Sequence, residues 1–135
     1  ISNHAPAGAK YTVAAARLFP ENPSLAVAAA KHLFIKEKFK ELKEFTEELP
    51  ETLKQLPRIR LYHAYAAAER GDTAEAQALL ADESFEVPDM KEGETVTLKL
   101  WYRVQELEAK KRGETFDRAT ANPPRRIDFD MYRPR

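Results

Sequence analysis

The chain has 135 residues, a length typical of one domain, and its 22 basic and 22 acidic residues cancel. This balance leaves no overall field to attract nucleic acid or a membrane, and no apolar run approaches the length of a membrane span. The chain has no cysteine, which excludes a disulfide framework, a thiolate metal site and a cysteine nucleophile.

Apolar periodicity and helix-ending residues predict six helices in chain order. Alanine occurs in runs that favour helices and let them approach closely. Prolines suit a first helical turn and glycines a left-handed C-terminal turn, so both mark the helix ends. The predicted helices cover about residues 9–19, 24–36, 39–49, 58–70, 73–81 and 95–112, with short helical turns expected near 53–56 and 115–119.

Two stretches of the chain match when it is slid along itself by 34 residues. Pro23 then falls on Pro57, and Ala30 falls on Ala64, so that each proline opens a unit. A period of this length is typical of a helix–turn–helix repeat. Repeats of this kind build surfaces rather than active sites, so the pattern favours a binding role.

The register indicates what lies at each end of the chain. The chain begins in the middle of a repeat and without an initiator methionine, so we interpret it as a piece of a longer protein. After Pro88 the register fails, because Trp101 and Gly113 do not fall at repeat spacings. The helix at 95–112 is therefore predicted to be a cap, since terminal units of repeat proteins are atypical.

The stretch from Ala64 to Leu80 resembles a tetratricopeptide repeat. It has a small residue on the first helix, Gly71-Asp72 at the turn, and then Ala76 on the second helix. The earlier copy departs from the family pattern at Glu37-Lys38 and Leu42. Both copies lack the aromatic residues that the family often has on its first helix. The resemblance implies an all-α fold of stacked antiparallel hairpins, a right-handed solenoid fragment with a capping helix over residues 1–121 and an extended tail over 122–135.

A fainter resemblance covers the whole chain. Leu100-Trp101-Tyr102, Pro123-Pro124 and the segment 127–131 look like the C-terminal part of large bacterial proteins. Those proteins carry an uncharacterised β-rich domain followed by tetratricopeptide repeats. This likeness implies an upstream domain in the same chain and brings no established activity with it.

No residue pattern predicts catalysis, a cofactor or a metal. His32 and His63 fall on separate predicted helices without a second ligand at metal-binding spacing, so we interpret them as ordinary polar residues. Glu47, Glu48 and Glu51 are acidic neighbours, but a charge run at a helix end is usually a solvated face. The prediction is that the chain is not an enzyme.

The candidate binding residues lie on the first helix of each repeat, which lines the concave face in tetratricopeptide-like stacks. Tyrosine and arginine are enriched at binding hot spots, and aromatics beside a cation suit a peptide groove. In the alternative interpretation, the tyrosines only pack on the next helix or on the tail. The predicted partner-binding residues are Val27, Lys31, Phe34, Arg58, Tyr62, Tyr65 and Glu69.

The tail mixes arginines with aromatics, which allows a nucleic-acid arm. Asp128 and Asp130 argue against that role. Ile127, Phe129 and Met131 alternate with them, and this period of two favours an extended segment laid on an apolar groove beside Trp101.

The sequence thus predicts a cytoplasmic protein–protein interaction scaffold whose partners are a protein or peptide and an upstream domain, with no nucleic acid and no membrane. The alternative is a structural brace or cap for an upstream enzymatic or carbohydrate-related domain, without a ligand of its own. A third hypothesis is an enzyme subunit that contributes residues at a domain interface.

Overall fold

The computed structural model describes residues 5–82, 85, 96–121 and 123, with side chains from residue 12 onward. Over these residues the prediction of an all-α protein is confirmed, because every regular element is a helix. Each of the six predicted helices is present, and α4 is the short turn expected in the connector. The elements are α1 (Ala5–Leu18), α2 (Pro23–Ile35), α3 (Phe39–Glu48), α4 (Glu51–Lys54), α5 (Pro57–Glu69), α6 (Ala74–Ala81), α7 (Val96–Lys111) and a 3₁₀ turn at Arg118–Thr120.

Helices α2 and α5 begin in the same way, 34 residues apart. Pro23 and Pro57 are the first residues of the two helices, where the missing amide proton of proline costs no helical hydrogen bond. Before α2, the side chain of Asn22 accepts a hydrogen bond from the Leu25 amide at 3.1 Å. Before α5, Leu56 provides no such cap. The sequence offset therefore corresponds to equivalent helix starts.

Three helices also end in the same way. Glu37 follows α2, Gly71 follows α5 and Gly113 follows α7, and all three have a positive φ, of 58°, 99° and 74° respectively. In each case this amide and the next one bond to carbonyls three and five residues earlier, at 2.8–3.0 Å. This paired arrangement closes a helix with one left-handed residue. Glu37 and Gly71 are again 34 residues apart.

Helix α5 is at the centre of the structure. It contacts α2, α3, α4, α6 and α7, and nine of its 13 residues are buried. One core cluster joins α5 to the helices before it and contains Leu42, Phe45 and Ile59. A second cluster joins α5 to α6 and α7 and contains Leu61 and Leu100. Because α5 contributes to both clusters, it links the two halves of the structure.

Alanine occupies the tightest contacts of the core. Ala29, Ala30, Ala64, Ala66 and Ala68 have no exposed surface. Their short side chains allow the backbones of neighbouring helices to come close, and a longer side chain there would overpack the core. The predicted tail at 122–135 lies outside the described residues, apart from Pro123.

Candidate functional site

The seven predicted binding residues lie on two neighbouring helices. Val27, Lys31 and Phe34 belong to α2, and the other four belong to α5, which contacts α2. The seven do not form one open surface. Some are packed between helices and others line an open groove.

Tyr62 and Tyr65 are packed in an aromatic cluster. The ring of Phe34 lies 5.0 Å from both tyrosine rings, and Phe39 stacks on Tyr65 at 5.6 Å. Tyr62 is 1% exposed and Tyr65 is 5% exposed. This packing resembles the alternative interpretation of the sequence, in which the two tyrosines pack inside the protein and do not contact a partner. Burial, and then the charge of Glu69, raise the pKa of Tyr65 to about 12, so its phenol stays protonated in the folded chain.

Helix α7 covers the C-terminal half of the predicted surface. The Lys99 ammonium lies 5.7 Å from the centre of the Phe34 ring. Arg103 donates two hydrogen bonds to the Glu69 carboxylate, at 2.8 and 2.9 Å, in a bidentate pair. The hydrogen bond to Glu69 raises the pKa of Arg103. Glu69 therefore ties α7 to α5, a role that its sequence position did not indicate.

A shallow groove remains where α2, α5 and α7 meet, and we call it the Lys99 groove. Its volume is about 410 Å³. Its charged side chains include Glu69 and Arg103, which are already bonded to each other. Among its apolar side chains, Ile35 is 61% exposed. It is lined by Phe34, Ile35, Glu37, Phe39, Tyr65, Glu69, Lys99 and Arg103.

A second groove lies between the N-terminal ends of α2 and α5, and we call it the Arg58 groove. Its volume is about 530 Å³ and its walls are mainly apolar. Val27 forms part of one wall, and Arg58, which is 8% exposed, provides a cation at the other. The guanidinium of Arg58 donates a hydrogen bond to the Tyr62 hydroxyl at 3.3 Å, which orients it. The lining residues are Pro23, Ser24, Val27, Ala28, Leu56, Pro57 and Arg58.

Lys31 adds a second cation near this groove. It is exposed and lies one turn after Val27, so the two side chains share a face of α2. Of the predicted residues, Val27, Lys31 and Arg58 are thus associated with the Arg58 groove. The remaining four pack against one another or against α7.

The 3₁₀ turn after α7 is fixed by an ion pair and by aromatic packing. Arg118 donates a hydrogen bond to Glu106 at 2.8 Å and lies over the ring of Tyr102 at 5.0 Å. This hydrogen bond lowers the pKa of Glu106. Phe116 packs 6.1 Å from Trp101, ring centre to ring centre. Phe116 and Arg118 are therefore held against α7.

A polar pocket formed by α3, α5 and α6 escaped the sequence analysis. Thr46 Oγ1 lies 2.7 Å from His63 Nδ1, and His63 Nε2 lies 3.2 Å from Glu75 Oε1. The Thr46 hydroxyl also donates to the Leu42 carbonyl of its own helix, at 3.0 Å. The three residues lie on different helices at irregular spacing, so no sequence motif could have revealed the contact. The pocket also contains Lys54 and has a volume of about 240 Å³.

Within the described part of the chain, no three metal-ligating side chains come together. No helix described here is both long and apolar enough to cross a membrane. Comparisons with known protein families, with curated proteins and with solved structures find no match to this chain.

Proposed function

We propose that the chain is a tetratricopeptide-like helical-repeat module that binds a protein or peptide partner. The observation that carries this proposal is the repetition of helix geometry at 34 residues. Pro23 and Pro57 open equivalent helices, and Glu37 and Gly71 close them with the same left-handed turn. Such a recurrence supports a right-handed stack of antiparallel hairpins in which α2 and α5 are the inner helices.

The Arg58 groove is the binding surface that we propose. It combines apolar walls with an oriented guanidinium, and arginine beside an apolar pocket is a common binding hot spot. Lys31 extends the positive charge along α2. A partner peptide would place an apolar side chain between α2 and α5 and a carboxylate near Arg58.

Selection from a random peptide library on the immobilised chain tests this proposal. The selected peptides are then measured against Lys31→Glu and against Lys40→Glu, a matched change at an exposed lysine on α3. We expect Lys31→Glu to weaken binding about tenfold and Lys40→Glu to leave it nearly unchanged. Equal affinity for the two variants, or selection of no binding peptide, would contradict the proposal.

The tyrosines on α5 are poor probes for this purpose. Replacing buried Tyr62 or Tyr65 by alanine would cost about 3–5 kcal/mol of stability, as large aromatic truncations do. A loss of binding would then report unfolding. Exposed Lys31 avoids this difficulty.

An exposed apolar patch favours a second candidate function, a structural brace for a neighbouring domain. Leu18 is 75% exposed and Phe19 is 61% exposed, at the corner between α1 and α2. Neighbouring apolar side chains of this size often mark an interaction surface. In the full gene product, Leu18→Ser with Phe19→Ser should lower the melting temperature of the adjoining domain. An unchanged melting temperature would argue against the brace.

We propose a cytoplasmic location and no catalytic activity or cofactor for the chain. The lack of cysteine suits a reducing compartment. Fractionation of the native protein tests the location, and recovery outside the cytoplasm would refute it.

A further inference from the structure

His63 joins three helices through its two ring nitrogens. It belongs to α5, and its Nδ1 atom lies 2.7 Å from Thr46 Oγ1 on α3. Its Nε2 atom lies 3.2 Å from Glu75 Oε1 on α6. The side chain of His63 is 20% exposed and that of Glu75 is 49% exposed. Because the ring is partly exposed, it can exchange protons with solvent.

The Thr46 hydroxyl decides which way the first of these hydrogen bonds runs. Thr46 Oγ1 lies 3.0 Å from the carbonyl oxygens of both Leu42 and Lys43, one turn earlier on α3. A hydroxyl has one proton, and a hydroxyl that directs it at these carbonyls has only lone pairs left for a third partner. Thr46 therefore accepts a hydrogen bond from His63, whose Nδ1 atom carries a proton.

The contact with Glu75 then depends on the charge of the ring. With its proton on Nδ1, a neutral His63 ring has a lone pair at Nε2, and the carboxylate oxygen that faces it is also an acceptor. Two acceptors 3.2 Å apart form no hydrogen bond. Protonation of Nε2 turns the same contact into a charge-assisted hydrogen bond. Histidine is the side chain whose charge ordinarily changes between about pH 5 and 8.

The other charged groups around His63 oppose one another. Besides Glu75, the pocket is lined by Glu47 on α3, Lys54 on α4 and Arg60 on α5. The hydrogen bond from Lys43 lowers the pKa of Glu47, and a charge on His63 lowers it further. Two carboxylates thus favour a positive charge on His63 and two cations oppose it, so the direct contact with Glu75 decides the balance.

We propose that His63 is a proton-operated link that ties α6 to α3 and α5. The charged ring donates from Nδ1 to Thr46 and from Nε2 to Glu75. When the ring loses a proton, the hydrogen bond to Thr46 remains and the one to Glu75 is lost, so α6 is held less firmly as the pH rises. Among the described residues, this pocket shares no lining residue with the Arg58 groove, so the inference does not rest on the proposed binding function.

A double-mutant cycle in the full chain tests the link to Glu75. Glu75 is about half exposed, so Glu75→Gln should fold, and His63→Gln keeps a polar side chain. At about pH 5.5 the cycle should show a coupling of about threefold in the unfolding equilibrium constant, as for an exposed ion pair. At about pH 8 the coupling should vanish, because the Nε2 proton is gone. A coupling as large at the higher pH as at the lower, or none at the lower, would overturn the proposal.

The matched control pairs His63→Gln with Glu44→Gln, at an exposed glutamate on α3. This second cycle should show no coupling at either pH. A pH-dependent coupling of the same size in the control would mean that general charge effects explain the result, and it would also overturn the proposal.

Two further measurements test the role of Thr46. Nitrogen NMR of the His63 ring should show both nitrogens protonated at about pH 5.5 and the remaining proton on Nδ1 at about pH 8. A neutral ring protonated at Nε2 would overturn the proposal, because the hydrogen bond to Glu75 would then survive. In Thr46→Val the neutral ring loses its acceptor at Nδ1 and can place its proton on Nε2, so the coupling with Glu75 should persist at the higher pH. Loss of the coupling there, as in the wild-type background, would overturn the direction assigned to the Thr46 hydrogen bond.

Discussion

Replacing Glu37 by glycine should stabilise the protein. Glu37 has φ of 58°, while the equivalent position in the next unit is Gly71. A left-handed conformation costs a residue with a Cβ about 1–2 kcal/mol, and glycine avoids this cost. Glycine also raises the entropy of the unfolded chain, which offsets about 0.4–1 kcal/mol of the gain. We expect a net gain of about 1 kcal/mol, or an increase of about 3 °C in melting temperature for a chain of this size.

Urea denaturation, followed by circular dichroism, measures this gain as a shift in midpoint at constant slope. Gly71→Ala is the reverse experiment. No atom lies within 4 Å of the Cβ that it would introduce, so backbone strain alone should cost about 1 kcal/mol. Lys36→Gly is the matched control, because Lys36 is exposed and has a negative φ of −82°. If Glu37→Gly lowers stability as Lys36→Gly should, the strain argument is wrong.

Three further predictions concern the core, the contact between α5 and α7, and the response of stability to pH. Ala30→Leu should lower the free energy of unfolding by about 1–3 kcal/mol in urea denaturation, because Ala30 is fully buried. Ala28→Leu, on the wall of the Arg58 groove, should change it little. Equal losses in the two variants would contradict the packing. A double-mutant cycle on Glu69 and Arg103 should show a coupling of about 1 kcal/mol, and additive effects would mean that this pair does not tie α7 to α5. The hydrogen bond from Arg118 lowers the pKa of Glu106 in the folded protein. The contribution of Glu106 to stability is therefore present above pH 4.5, its unfolded value, and is lost as the pH falls through the lower pKa of the folded state. Wild type should exceed Glu106→Gln in stability at neutral pH, with a difference that fades in acid; a constant difference would contradict this.

Local signals in the sequence predicted the helices and their ends well. Pro57 and Gly71 act on the backbone of their own turns, so they could place α5 without knowledge of its neighbours. The 34-residue match also located Glu37, whose left-handed conformation appears only in the structure. Gly113 adopts the same left-handed turn after α7. It does not lie at the 34-residue spacing, so the match could not predict this similarity.

The candidate site was harder to predict because it depends on contacts between distant segments. The spacing of Tyr65 and Glu69 placed them on one face of α5, but it could not show that α7 would cover that face. Lys99 and Arg103 on α7 make the contacts that close this half of the predicted surface. The pocket around His63 was missed for the same reason, because its three polar partners come from three helices.

The central position of α5 has a consequence for exchange of its backbone amide protons with solvent. Residues 64–68 in its second half are buried without a break. Ala66 belongs to one core cluster, and Ala64, Tyr65 and Ala68 belong to the other. Neither half of the structure can open without exposing part of this helix. The amides there should therefore exchange only when the whole chain unfolds, and their exchange rates would report its global free energy of unfolding.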